Sequence, residues 1–81
     1  MNRLALERVL NLFEIRTDVY DLSCRDEGDE AHVITREDDG WHVFYSERGL
    51  RTSERVFSTE DQACDEVLMR IARDPLTRAN R

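Results

Sequence analysis

Trp41-His42-Val43-Phe44-Tyr45-Ser46-Glu47-Arg48-Gly49 carries three of the six aromatic residues in this 81-residue chain. Side chains alternate across a strand, so Trp41, Val43 and Tyr45 share one face, and His42, Phe44 and Ser46 the other. Just upstream, Glu37-Asp38-Asp39-Gly40 ends in an Asp-Gly pair, a hairpin signal in which Gly supplies the positive φ of a tight turn. Residues Ala31 to Arg36 read as the strand before that turn. Glu47-Arg48-Gly49 reads as the next turn, again with Gly at positive φ. Leu50 to Phe57 follows as a third strand, irregular through Arg51-Thr52-Ser53-Glu54. The centre of the chain is therefore a three-stranded antiparallel sheet.

Helices flank it. From Asn2 to Glu14, the residues Leu6, Val9, Leu10 and Phe13 recur at the spacing of one helical face. Val19, Tyr20 and Leu22 make a short extended piece that closes one end of the core. Ser58 or Thr59 caps the last helix, and Thr59 with Gln62 has capping-box spacing. Glu60 and Asp61 suit the positive end of its dipole. Ala63, Cys64, Val67, Leu68 and Ile71 form its apolar stripe, and Asp74-Pro75 stops it. The order α-β-β-β-α predicts an α+β fold: a small two-layer domain with both helices on one sheet face. We expect one domain over 1–81, with an ordered core over about 3–76 and a frayed tail at 77–81.

Trp41, Val43 and Tyr45 are assigned to the core, which leaves His42 and Phe44 on the open face. If the helices cover the other face instead, Trp41 and Tyr45 become the exposed anchors. In either case one aromatic of this strand faces solvent, and an exposed aromatic beside charges marks a contact surface.

Composition narrows the function. Such a short chain buries only about 60% of its unfolded surface, which leaves little room for a deep enzyme cleft. The formal net charge is −6 and the pI about 4.8. That argues against nucleic acid and against an anionic membrane, since both need a basic face. All twelve basic residues are Arg, which favours bidentate pairs with carboxylates on the surface. The N-terminus lacks the apolar run of a secretory signal, and no stretch has the length of a membrane span. The expected compartment is the cytoplasm, with Cys24 and Cys64 reduced.

Catalytic and metal motifs are weak. Cys24, His32, His42 and Cys64 lack the short spacings of local metal motifs, although His32 and His42 fall on neighbouring strands and could be cross-strand neighbours. Cys24 or Ser46 with His42 lacks an elbow, an oxyanion loop and an orienting third group. The helix–strands–helix order matches the double-stranded RNA-binding domain, but Glu60-Asp61 stand where that module carries basic residues. No enzyme activity, metal or cofactor is expected. The acidic runs carry more. Asp26, Glu27, Asp29 and Glu30 precede the first hairpin strand, and Glu37, Asp38 and Asp39 form its turn. They serve as solvated loops, or as an electrostatic lure for a basic partner.

The run Gly40 to Gly49, with Phe57-Ser58-Thr59-Glu60, Ala63-Cys64 and Asp74-Pro75, resembles a family of short acidic proteins of actinobacterial type. It is similar to immunity proteins of bacterial polymorphic toxin systems. The resemblance spans about Val19 to Arg78, and Tyr45-Ser46-Glu47-Arg48-Gly49 is its most distinctive part. It implies a cytoplasmic, non-catalytic protein that occludes the active site of a cognate toxin domain. The expected contacts are the acidic loops with His42, Phe44, Glu47 and Arg48, and the free protein is expected to be a monomer or weak homodimer. The alternative is a structural or regulatory subunit that self-associates through its sheet.

Overall fold

The computed structural model describes residues 1–74. The expected break at Pro75 and the frayed tail at 77–81 lie outside them. The chain runs α1 (Arg3–Leu12), a 3-10 turn at Thr17–Val19, β1 (Tyr20–Asp21), β2 (Ala31–Glu37), β3 (Gly40–Glu47), β4 (Leu50–Phe57) and α2 (Glu60–Arg73). The fold is α+β, but the sheet has four strands in the order β1-β2-β3-β4 and is mixed. The extended piece at Tyr20 enters the sheet parallel to β2, with Tyr20 opposite His32 and Asp21 opposite Val33. A two-residue strand is too short to show a period. Its place is set by the 3-10 turn before it and by the long crossover that a parallel neighbour requires.

Both helices pack on one face. Leu6 and Leu10 of α1 and Ala63, Cys64, Val67 and Ile71 of α2 form one core with Ile34, Trp41 and Val43. Each fully buried aliphatic side chain contributes about 1.5–3 kcal/mol. Asn2 caps α1 by accepting from Ala5 N–H at 2.9 Å, and Thr59 caps α2 by accepting from Gln62 N–H at 3.2 Å. Phe13 departs from the sequence pattern. It is the C-cap residue of α1 and is 64% exposed, because the chain leaves the helix there through Glu14 at φ 57.

The β2–β3 connection is Asp38-Asp39, with Glu37 opposite Gly40. Gly40 is thus the first residue of β3, at φ 135, rather than the centre of the turn. A Cβ there would lie 2.6 Å from the Phe57 carbonyl, so Gly is required by the close approach of β4. In the β3–β4 turn, Arg48 and Gly49 both have positive φ, 53 and 80, as a two-residue type I′ hairpin demands. The expected irregularity in β4 is a register shift opposite Val43–Tyr45, with Ser53 at φ 54. It bends an edge strand and limits its use as a pairing template.

The face away from the helices is not open. Ala31, Val33, Thr35, His42, Phe44 and Ser46 are all buried there. The segment between β1 and β2 reaches over them. Asp26 meets Arg51 on the far strand at 3.3 Å, and Asp29 accepts from Arg48 N–H at 2.9 Å. Asp21 gathers the start of that segment, accepting from Ser23, Glu27 and Gly28 at 2.6–3.0 Å. Burial pushes its carboxyl up, but these hydrogen bonds outweigh burial and hold it below the ordinary carboxylate value. Phe44 is 0% exposed, so the expectation of a solvent-facing aromatic on β3 is overturned. Trp41 is buried and Tyr45 half-buried.

Candidate functional site

The covered face is a charge network over an apolar floor. The Arg51 guanidinium lies 4.2 Å from the centre of the Phe44 ring. Arg51 Nη1 donates to Glu54 at 2.8 Å and meets Glu37 at 2.9 Å. His42 sits between two carboxylates, Nδ1 to Glu54 and Nε2 to Asp39, both at 2.6 Å. Carboxylates accept at both ring nitrogens, so this geometry belongs to the imidazolium. The bond to Asp39 is the largest cause, and with the bond to Glu54 it outweighs burial and raises the His42 pKa above its ordinary value. Hydrogen bonds from His42 lower the carboxyls of Asp39 and Glu54 in turn. Thr35 and Arg51 do the same for Glu37.

A ligand atom of Glu37, of His42 and of Glu54 converge within 4.8 Å of one another, the arrangement nearest to a metal site among the described residues. Arg51 Nη1 already lies against both carboxylates. The guanidinium and the His42 imidazolium are the cations of this cluster.

A second region lies at the other end of the β2–β3 hairpin, on the helix side. His32 is opposite Tyr45, and their rings meet edge to face with centroids 5.2 Å apart. His32 is 8% exposed, and neither ring nitrogen has a hydrogen-bond partner. The nearest carboxylate, Asp74, stands 3.7 Å from Nε2, beyond hydrogen-bond length. Burial lowers the His32 pKa and outweighs the opposing pull of Asp74, so the ring is neutral at pH 7. Two cavities meet at His32, Tyr45 and Asp74. One, of about 290 Å³, is completed by Arg16, Asp18, Val19, Asp29 and Glu30. The other, of about 470 Å³, is completed by Ser53, Glu66, Arg70 and Arg73. Arg70 donates to Glu66 at 2.8 Å and to the Ser53 carbonyl at 2.7 Å, while its Nη1 is buried with no acceptor.

The charges that act on Tyr45 are acidic. The Tyr45 hydroxyl has a raised pKa, first from burial, then from the charges of Glu30, Glu47, Asp74 and Asp29. Tyr45 therefore sits in the field of four carboxylates from three parts of the chain.

The structure divides the sequence-predicted residues. Asp26, Glu37, Asp39, His42 and Phe44 are drawn together around Arg51, with their charges met inside the molecule. Asp29 and Glu30 line the 290 Å³ cleft, and Glu47 acts on Tyr45 beside it. Arg48 is tied to Asp29 through its backbone. Glu27 and Asp38 project from their loops as exposed residues apart from both groups. His32 and His42 are not cross-strand neighbours. His32 pairs with Tyr45 and His42 with Thr35, on opposite faces.

Sequence reasoning missed His32, Tyr45, Arg51, Glu54, Arg70 and Asp74 as interacting groups. One signal was available. With Asp38-Asp39 as a two-residue loop, the antiparallel register follows by counting, and His32 falls opposite Tyr45. The contacts from α2 and β4 left no such local sign.

No protein-family model matches the chain, and neither a curated protein nor a solved structure is detectably similar to it. Among the described residues, no helix is long and apolar enough to cross a membrane.

Proposed function

We propose that this chain is a non-catalytic binding protein that neutralises a cognate toxin domain by occluding its active site through an acidic surface. The contact surface is the end of the sheet bearing Asp29, Glu30, Glu47 and Tyr45. The observation that carries this reading is the uneven neutralisation of the carboxylates. On the covered face, Arg51 and His42 sit among Asp26, Glu37, Asp39 and Glu54. At the Tyr45 end, Glu30 and Glu47 are exposed, and no described ion pair reaches either of them or Asp29. Un-neutralised, clustered negative charge speeds encounter with a basic surface and selects against acidic ones. A basic groove built to hold nucleic acid is such a surface.

The test is co-expression with the toxin encoded by the neighbouring gene, with growth rescue and recovery of the complex as readouts. Wild type should rescue. A Glu30→Arg, Glu47→Arg double variant that keeps its fold should rescue poorly and bind with a lower on-rate. Failure of wild type to rescue or to form a complex rejects the reading.

The second reading is a subunit that self-associates through its sheet. In its favour, β4 is an edge strand bearing exposed Leu50 and Val56. Molar mass in solution separates the two: a stable dimer at micromolar concentration favours self-association.

A further inference from the structure

We propose that the cleft bounded by Asp29, Glu30, His32, Tyr45 and Asp74 is a receptor for a single arginine side chain presented by the basic partner. The inference deepens the binding-protein reading above and rests on it for the identity of the partner, but not for the chemistry of the cleft.

Three features select a guanidinium. The cleft is lined by four carboxylates, Asp18, Asp29, Glu30 and Asp74, against one guanidinium, Arg16. That guanidinium is already spent on Asp18. A cationic guest therefore meets Asp29 and Glu30, the two lining carboxylates that no described ion pair reaches. At about 290 Å³, the cleft lies just below the range of roughly 300–1,000 Å³ typical of whole small-molecule sites, which suits one long side chain. Finally, His32 lines the cleft with both ring nitrogens buried and unpartnered. A buried polar group without a partner is costly, and an arriving N–H donor would satisfy the ring's acceptor nitrogen.

Arginine fits better than lysine. Its planar fork can donate to a carboxylate and to a neighbouring nitrogen at once, and its flat face can stack on an aromatic wall. Tyr45 supplies such a wall. The adjoining cleft holds Arg70 with an unpartnered Nη1. A backbone carbonyl of the segment that carries the guest arginine would meet that donor.

The test uses the full chain and short blocked peptides that differ at one residue: arginine, lysine, or citrulline, the neutral isostere of arginine. Binding is followed by NMR at the ring signals of His32 and Tyr45. The arginine peptide should shift both rings in a saturable way, several-fold more tightly than lysine, and citrulline should not. Glu30→Gln, an exposed and conservative change, should weaken the arginine peptide by about two- to five-fold. The inference is overturned if lysine or citrulline binds as well as arginine, or if the shifts fall elsewhere. The peptide result needs no toxin. Arginine binding without toxin neutralisation rejects the proposed function and keeps the cleft. A toxin complex that forms in the absence of any peptide response does the reverse.

Discussion

Replacing Phe44 by Ala tests the covered face most directly. Sequence alternation alone would place Phe44 in solvent and Phe13 in the core; the structure reverses both. Phe44 is 0% exposed, under Arg51, and Phe13 is 64% exposed at the end of α1. Aromatic side chains bury on the order of 150–250 Å². At about 25 cal/mol per Å² this corresponds to roughly 4–6 kcal/mol for a whole side chain. Truncation to Ala keeps the Cβ and leaves a cavity, and such changes cost about 3–5 kcal/mol. Loss of the cation–π contact adds about 0.5–1 kcal/mol. A domain of this length has a total stability of about 4–12 kcal/mol. Phe44→Ala should therefore remove a large part of the stability, and Phe13→Ala less than about 1 kcal/mol. Urea unfolding followed by the fluorescence of Trp41, the only tryptophan, measures both. With a slope of about 1 kcal/mol per M for a small domain, the Phe44→Ala midpoint should fall by about 3 M or more. A Phe44→Ala protein within about 1 kcal/mol of wild type, or one more stable than Phe13→Ala, would refute the covered face.

Three further outcomes are expected. The two histidines should titrate on opposite sides of about 6.5, the ordinary value: His42 above it, from its bonds to Asp39 and Glu54, and His32 below it, from burial. By linkage, the His42 contribution is fully present below about pH 6.5 and is lost as pH rises through its folded value. The His32 contribution is present above about pH 6.5 and is lost as pH falls through its folded value. NMR titration of the ring protons checks the split, and His42→Gln should flatten the alkaline limb of a stability profile. Two histidines titrating together near 6.5 would reject it. Gly40→Ala should cost at least about 2 kcal/mol, since the new Cβ meets a backbone carbonyl at positive φ. Gly49→Ala, at positive φ but in open space, should cost about 1 kcal/mol; equal midpoint shifts would contradict this. Thiol labelling of the native protein should modify Cys24, which is half-buried, and spare Cys64, which is buried and has a pKa pushed up to about 11 by burial. Mass spectrometry should show one adduct in buffer and two in denaturant.

The elements themselves were legible in the sequence because their signals are local. Thr59 caps the last helix, and both helices carry apolar residues at 3.6 spacing. Asp38-Asp39-Gly40 and Arg48-Gly49 punctuate three strands, and the alternation of Trp41, Val43 and Tyr45 separates the two faces of β3 without deciding which one the helices cover. The hairpin register did not follow from the Asp-Gly signal, which centres the turn on Gly40, whereas the loop is Asp38-Asp39. None of the long-range placements was legible either. Tyr20–Asp21 joins the sheet only because a crossover carries the chain back beside it. That same crossover brings Asp26 to Arg51, whose guanidinium lies over Phe44.

The sequence by itself determined the acidic balance and the order of secondary structure, since composition and short-range periodicity are properties of neighbouring residues. Only the tertiary structure decided which carboxylates are neutralised and which remain free. Charge pairing depends on distance in space, and Arg51 meets Asp26 from 25 positions away while Glu30, beside the same loop, meets no cation among the described residues.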